Sequence, residues 1–187
     1  MPIMKRDDTL FSSITTPKRV TLSPKAQYVF VADAFPEHLL GGAELTLQAR
    51  VDSAPEGVTV DRILCSELSL DLIREGLDKH WVFGNYTTLD PRLPPIIVEN
   101  LRYSVVECDY KFCRHRSPDL HALAEGACNC RNEPIGAAVA SFMQGADQVW
   151  WMSEKQRKAY LDAFPHLEDV PEQVLSSVFD KETLSTI

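Results

Sequence analysis

Five short apolar runs, most of them separated by enough residues to hold a helix, are the feature that most constrains the fold. They are YVFVAD (residues 28–33), VTVDRILCS (58–66), HWVFGN (80–85), YSVVECD (103–109) and DQVWWMS (147–153). Each is rich in β-branched or aromatic residues, which is typical of a buried strand. Strands that alternate with helical patterns predict βαβ units. We therefore expect an α/β fold, a Rossmann-like three-layer sandwich whose mostly parallel central sheet has helices on both faces.

Helical patterns fill several of the gaps between these runs. Ser69 is a suitable N-cap for a helix after the second strand. The inward face of that helix is predicted to consist of Leu70, Ile73 and Leu77. Two further helices are predicted, one from Pro134 to about Gly145 and one after Ser153.

The segment AELTLQARVD (residues 43–52) fits two structures. Its strict alternation of apolar and polar residues predicts a strand. A helix buried on two sides is also compatible, with Ala43, Leu47 and Val51 on one stripe and Leu45 and Ala49 on another. We favour the helix, because two parallel strands need a crossover connection between residues 33 and 58.

Composition and charge exclude several classes of function. With 19 basic and 27 acidic residues the net charge is −8, which argues against a general nucleic-acid binder and against an anionic membrane surface. No apolar run approaches the roughly 20 residues that span a bilayer, and no secretory signal pattern is present. We expect a cytoplasmic protein with no membrane span and no nucleic-acid partner.

The chain length suits one domain. Residues 1–27 are rich in Ser, Thr, Lys and Pro and are predicted to form an N-terminal arm. Residues 28–187 are predicted to form the Rossmann-like domain.

A pair of glycines, Gly41 and Gly42, follows the first predicted strand. Ligands of open parallel sheets bind at the carboxyl ends of the strands, where helix N-termini present free N–H groups. Glycines at that position allow a phosphate to approach the backbone. The spacing matches neither a dinucleotide fingerprint nor a P-loop, and an ordinary surface turn is the alternative.

Four stretches, in order, resemble one family. VFVADAFPEHLLGGAEL (29–45), VVECDYKFC (105–113), ADQVWWMSEKQRKAYLDAFP (146–165) and VLSSVFD (174–180) are similar to the N-terminal domains of family 4 glycosyltransferases of GT-B fold. In that family two Rossmann-like domains face a cleft. The first domain holds the acceptor and the second holds the nucleotide-sugar.

The resemblance implies a set of site residues. Gly41, Gly42 and Glu44 would form the loop beside the donor diphosphate. Asp109 would accept a hydrogen bond from an acceptor hydroxyl, with Lys111 and Arg116 nearby as binding residues. The family often has a His where this chain has Cys108, so His115 is the candidate substitute and, with Asp109, the predicted catalytic pair.

The same resemblance raises the question of completeness. The sequence ends at Ile187, where the second domain of the family would begin, so we expect an acceptor-side half that needs a C-terminal donor domain in cis or in trans. No cofactor is expected, because the nucleotide-sugar is a substrate. The alternatives are a non-catalytic Rossmann-like binding module and, less favoured, a nucleotide-dependent enzyme complete in one domain.

Four of the five cysteines lie close together in the sequence. Cys108, Cys113, Cys128 and Cys130 follow the pattern C-x4-C-x14-C-x-C, which lacks the C-x2-C knuckles of common zinc sites. A structural zinc ion is one interpretation. The favoured one is reduced, buried thiols and no metal, with a disulfide from Cys113 to Cys128 or Cys130 as a product of oxidation.

Overall fold

The computed structural model of the protein describes residues 20–176. Its centre is a six-stranded, all-parallel sheet with the strand order β2-β1-β3-β4-β5-β6. The strands are β1 (Ala26–Ala32), β2 (Thr59–Leu64), β3 (His80–Gly84), β4 (Arg102–Glu107), β5 (Gln148–Trp151) and β6 (Glu172–Val174). The predicted Rossmann-like α/β fold is confirmed, and each of the five predicted strands is present.

Six α-helices connect the strands. They are α1 (Gly42–Asp52), α2 (Leu70–Glu75), α3 (Leu93–Asn100), α4 (Pro118–Glu125), α5 (Pro134–Gln144) and α6 (Glu154–Ala163). The ambiguous segment 43–52 is helical, as the crossover argument predicted, and it connects β1 to the parallel β2. Ser69, Ser117 and Ser153 cap α2, α4 and α6 through side-chain hydrogen bonds.

The helices are divided unequally between the two faces of the sheet. Parallel crossovers are right-handed, so the direction in which the chain moves along the sheet decides which face its helix covers. Only the β1-to-β2 crossover moves toward the β2 edge; every later crossover moves the other way. One face is therefore covered by α1, and the connections after β2 cover the other.

Two apolar clusters match this division. The larger combines strand residues such as Val31, Trp81 and Tyr103 with side chains of α2, α3, α5 and α6. The smaller has Leu47 of α1 packed on Phe30, Ala32, Val82 and Val106. Successive strand residues point to opposite faces, which explains why neighbours such as Val31 and Ala32 belong to different clusters.

Gly84 determines how closely α1 approaches the sheet. A Cβ atom at Gly84 would lie only 2.3 Å from Cδ2 of Leu47. The missing side chain on β3 therefore makes room for the only buried leucine of α1, and it places the N-terminal half of that helix over β1 and β3.

The predicted inward face of α2 was partly wrong. Ile73 is buried as expected, but Leu70 and Leu77 are 41% and 51% exposed, and Leu72 is buried instead. The helix has six residues and ends at Glu75, so Leu77 lies beyond it and the extended periodic pattern does not apply.

Parts of the predicted arm pack against the domain. Leu22 is 4% exposed and its backbone N–H donates to Glu75, while Ala26 is already the first residue of β1. The rest of the predicted arm, residues 1–19, lies outside the described residues. So does most of the family-like stretch VLSSVFD, from residue 177 onward. No helix within residues 20–176 is long and apolar enough to cross a membrane.

Candidate functional site at the carboxyl edge of the sheet

The predicted site residues follow the carboxyl ends of β1 and β4, and β3 lies between these two strands in the sheet. The chain leaves β1 toward β2 on one side, and β3 lies on the other side. Ligands of open α/β sheets bind at such a reversal, outside the carboxyl ends of the strands. The sheet order therefore places the candidate site between the loops that follow β1, β3 and β4.

The glycine pair lies at the start of α1. Gly41 is the N-cap in extended conformation and makes no side-chain capping bond, and Leu45 is the first residue whose N–H donates back to it. The N–H groups of Gly42, Ala43 and Glu44 come before this first helical hydrogen bond, so they have no acceptor within the helix. A Cβ atom at Gly42 would meet no atom within 4 Å. Gly42 is exposed, and the Glu44 carboxylate lies beside this helix start, since its Oε2 would be 2.5 Å from a Cβ atom at Gly41.

Glu44 connects this helix start to the neighbouring strand. Its side chain is buried at 3% exposure, and Oε1 accepts a hydrogen bond of 3.2 Å from Nδ2 of Asn85. Asn85 follows β3 in a left-handed conformation with φ of 36°. Glu44 therefore holds the loop after β3 against the N-terminus of α1, in addition to lying at the positive end of the helix dipole.

Asp33, directly after β1, organises the same loop. Its carboxylate accepts hydrogen bonds from the backbone N–H groups of Thr87 and Thr88, both at 2.8 Å, and from the Thr88 hydroxyl at 2.7 Å. Burial favours the neutral acid, but these hydrogen bonds outweigh it and hold the pKa of Asp33 below its usual value. Asp33 is therefore a fixed carboxylate anchor.

Asp109, two residues past β4, is joined to this loop through Arg116. The guanidinium Nη1 of Arg116 lies 3.0 and 3.2 Å from the two carboxylate oxygens of Asp109, and Nη2 donates to the Thr87 hydroxyl. The side chains of Asp109 and Arg116 are about one-third exposed. The structure therefore brings two of the predicted site residues into contact at the carboxyl edge.

Lys111 is a buried partner of two carboxylates rather than a surface cation. Its Nζ lies 3.3 Å from Asp109 and 3.5 Å from Glu107, over the ring of Tyr86. Burial favours the neutral amine, but the two carboxylates outweigh it and raise the pKa of Lys111. At 3% exposure Lys111 could reach a ligand only if this cluster opened, so its present contacts orient Asp109.

Cys108 occupies the position where the resembling family often has a His. Its side chain packs in the smaller cluster, and burial raises the pKa of its thiol to about 12. A neutral thiol is neither a general base nor an imidazolium, so Cys108 does not replace the family residue chemically.

His115 lies among a different set of residues. Its Nε2 is 2.9 Å from Oε1 of Glu125, and its ring stacks on His121 with centroids 4.5 Å apart. These contacts belong to the loop and helix beyond β4. A catalytic role of His115 beside Asp109 stays a prediction.

Of the four cysteines that lie close together in the sequence, three are also close in space, and Cys108 is not one of them. Cys113, Cys128 and Cys130 do come together, and His121 is the fourth residue of the group. Cys108 packs on the α1 face of the sheet, whereas Cys113 and Cys130 belong to the larger cluster on the opposite face. All five cysteines are free.

Sequence reasoning missed several residues that build the edge. Asp33 and Asn85 are the last residues of the predicted strands 28–33 and 80–85, and Thr87 lies two residues further on. Their positions at strand ends could have indicated a role at this edge. Gln156, in the first turn of α6, also belongs to this edge: its Nε2 donates to the carbonyl of Asp109 at 2.7 Å and its Oε1 accepts from the Met152 N–H. That bridge depends on tertiary structure, which no local pattern encodes.

A groove of about 540 Å³ lies elsewhere, on the α1 face of the sheet. Tyr28, His80, Arg102 and Gln148 line it near the amino ends of their strands, with Trp150 and Arg50 on its wall. The groove is therefore separate from the carboxyl-edge site.

The fold and this edge define an α/β protein of Rossmann-like class. No family model matches the chain, and no curated protein or solved structure is significantly similar to it.

Proposed function

We propose that this domain is the acceptor-side half of a glycosyltransferase that moves a sugar from a nucleotide-sugar to an acceptor. One observation carries the proposal. The glycine loop and Asp109 lie at the same edge of the sheet, joined through the loop after β3 by the contacts of Glu44 with Asn85 and of Arg116 with Thr87 and Asp109. The four family-like stretches supply the reaction class.

In this proposal the N-terminus of α1 stabilises negative charge on the leaving diphosphate. When a glycosyl bond to a nucleotide breaks, charge develops on the departing diphosphate. Free backbone N–H groups at a helix start, together with the helix dipole, stabilise such charge without reorganising. The open space at Gly42 leaves room for a phosphate to approach those groups.

Asp109 and Arg116 supply a polar wall opposite this helix. The carboxylate of Asp109 is the candidate acceptor of a hydrogen bond from the reacting hydroxyl. Arg116 contacts both carboxylate oxygens and Lys111 contacts Oδ1, and these contacts fix the orientation of Asp109. Arg116 is about one-third exposed and is the cation of the pair that can reach a bound anion without unfolding the loop.

The test is nucleoside diphosphate release by the protein expressed from its natural gene. UDP-glucose, UDP-N-acetylglucosamine, GDP-mannose and ADP-glucose are the donors, with and without a glycan acceptor extract. We expect turnover of one donor, a loss on the order of 10²-fold in kcat/KM for Gly42→Val, and an unchanged melting temperature. Leu70→Val, at the exposed first residue of α2, is the control and should retain activity.

Two results would contradict the proposal. One is the absence of turnover with every donor when the donor domain is present, in the same chain or as a partner. The other is a Gly42→Val variant as active as the wild type. In either case the non-catalytic binding module becomes the better interpretation. The sheet face beside α1, where Tyr28 is 39% exposed next to the groove, is the observation that favours it.

A further inference from the structure

Three thiols and one imidazole converge in the segment between β4 and α5. Cys113 lies in the loop after β4, His121 in α4, Cys128 in the following loop and Cys130 in the short 3-10 turn Cys130–Asn132. Each offers one ligand atom, and the four atoms all lie within 4.8 Å of one another. We propose that Cys113, His121, Cys128 and Cys130 bind one structural Zn²⁺.

Three of the six distances among these atoms agree with tetrahedral zinc, and the other three are within 4.8 Å. His121 Nδ1 lies 3.5 Å from Sγ of Cys113 and 3.4 Å from Sγ of Cys130, and the sulfurs of Cys113 and Cys128 are 3.7 Å apart. Bonds of about 2.3 Å to sulfur and about 2.0 Å to nitrogen separate two sulfurs by about 3.8 Å and a sulfur from the nitrogen by about 3.5 Å. A disulfide would need about 2.05 Å between the sulfurs.

The burial of the cluster indicates a structural site. Cys113 and Cys130 are fully buried, His121 is 2% exposed and Cys128 is partly exposed. Three sulfurs and one imidazole nitrogen complete a tetrahedral shell, so no position remains for a substrate or a reactive water.

A second layer of contacts orients the imidazole. Nε2 of His121 lies 3.3 Å from Oε2 of Glu125, one helical turn further along α4. Nη2 of Arg114 also lies 3.2 Å from this Nε2 and can only donate. When Nε2 carries the proton and donates it to Glu125 instead, the lone pair of Nδ1 is directed at the sulfurs. Arg114 and His115 also contact Glu125 and hold its carboxylate in place.

Local sequence builds this geometry. Ser117 caps α4 and Pro118 begins it, so His121 and Glu125 lie on one face at i and i+4. Gly126 ends the helix with φ of 86° and turns the chain back toward Cys128. Gly136 allows α5 to pack on the Cys130 turn, because a Cβ atom there would lie 2.3 Å from the Cys130 carbonyl.

The site would stabilise the wall of the candidate cleft. Residues 113–130 contain Arg116, whose guanidinium holds Asp109. Of the residues in this segment, only Cys113, His121 and Cys130 are buried. Metal bonds would therefore replace the apolar contacts that the segment lacks.

The test is metal analysis of the protein purified without chelator. We expect close to one zinc per chain, retained in Cys108→Ser and Cys65→Ser and lost in Cys128→Ser and His121→Ala. Glu125→Gln should keep the site but weaken zinc affinity by about 10- to 100-fold. Chelation should lower the melting temperature by about 10 °C. These readouts need no enzymatic activity, so the zinc site and the transferase proposal fail independently.

Cobalt gives a measurement on the unaltered chain, which does not depend on whether a variant folds. Replacing zinc with Co²⁺ should produce intense visible bands of tetrahedral cobalt and a thiolate charge-transfer band in the near ultraviolet. Three results would overturn the proposal: a metal-free chain whose melting temperature ignores chelator, iron in place of zinc, or equal zinc loss in Cys108→Ser and Cys128→Ser. A metal-free chain would mean that Nδ1 of His121 and the thiols are joined only by hydrogen bonds.

Discussion

Glu107 is a fully buried carboxyl at the end of β4. Its Oε1 accepts the backbone N–H of Lys111 and lies 3.5 Å from the Lys111 ammonium. Burial raises the pKa of Glu107 to about 7, although Lys111 opposes that shift. The folded protein therefore retains a proton on this residue at pH values where the unfolded chain has released it.

This proton gives stability a defined pH dependence. Between about pH 4.5 and 7 the folded state binds more protons than the unfolded state at Glu107, so its contribution to the free energy of unfolding falls as pH rises. Glu107→Gln removes the pH-dependent contribution of this carboxyl to the free energy of unfolding, and it leaves Asp109 as the partner of Lys111. In urea unfolding from pH 5 to 8, the stability of the variant relative to wild type should rise with pH and level off above about 7.

Glu56→Gln removes the same charge from an exposed loop and is the control. A difference between Glu107→Gln and wild type that stays constant from pH 5 to 8 would show that the Glu107 carboxyl is not perturbed in the folded state.

At the scale of elements, the contact between α1 and β3 depends on one missing side chain. Gly84→Ala places a methyl group against Leu47 and should cost about 1–3 kcal/mol through overpacking. Leu47→Ala should cost about 2–5 kcal/mol through the cavity it leaves. The double variant should be less destabilised than the sum, because each change relieves the other. If the double variant loses as much free energy of unfolding in urea as the two single variants together, this packing is contradicted.

The bridge between the loops after β4 and β5 rests on Gln156. Gln156→Leu should cost about 2–5 kcal/mol, because the Asp109 carbonyl and the Met152 N–H both lose a partner near the core. Gln156→Glu keeps the acceptor for Met152, but it buries a carboxyl group against the Asp109 carbonyl and should be destabilising too. Equal stability of both variants and the wild type in thermal unfolding would show that water satisfies these groups.

Local patterns predicted strands better than they predicted helix faces. Runs such as HWVFG are buried on both sides, so apolar character alone identifies them. β6 was not predicted, since Glu172, Gln173 and Val174 form a short, mostly polar edge strand. The helix at 43–52 could be assigned only from the topology, because its alternating pattern fits a strand equally well.

The candidate site was predictable where it depends on strand ends. Gly41, Gly42 and Asp109 follow predicted strands, and a parallel sheet brings such residues to one edge. The membership of His121 in the cysteine cluster was not predictable, because it depends on how α4 folds back over the loop. The same holds for the burial of Lys111, which the sequence alone presents as an ordinary cation.

For the whole molecule, the unequal helix layers leave Trp150 on the α1 face, beside Arg50 at 4.7 Å. Trp81 and Trp151 are at most 1% exposed on the opposite face. Acrylamide should therefore quench one component of the tryptophan fluorescence, and Trp150→Phe should remove that component. Quenching that survives in Trp150→Phe would mean that the helices over the larger cluster do not cover the sheet as described.

The most direct test of the carboxyl-edge site is amide-resolved NMR of the protein expressed from its natural gene, with its donor domain present in the same chain or as a partner, titrated with UDP-glucose and GDP-mannose. We predict that one nucleotide-sugar shifts the amide signals of Gly41, Gly42 and Ala43 together with those of residues 85–88 and Arg116, and that Gly42→Val abolishes the shifts. Shifts confined to the groove residues Tyr28, His80 and Gln148, or no shifts at millimolar ligand, would contradict a phosphate-binding role for the glycine loop.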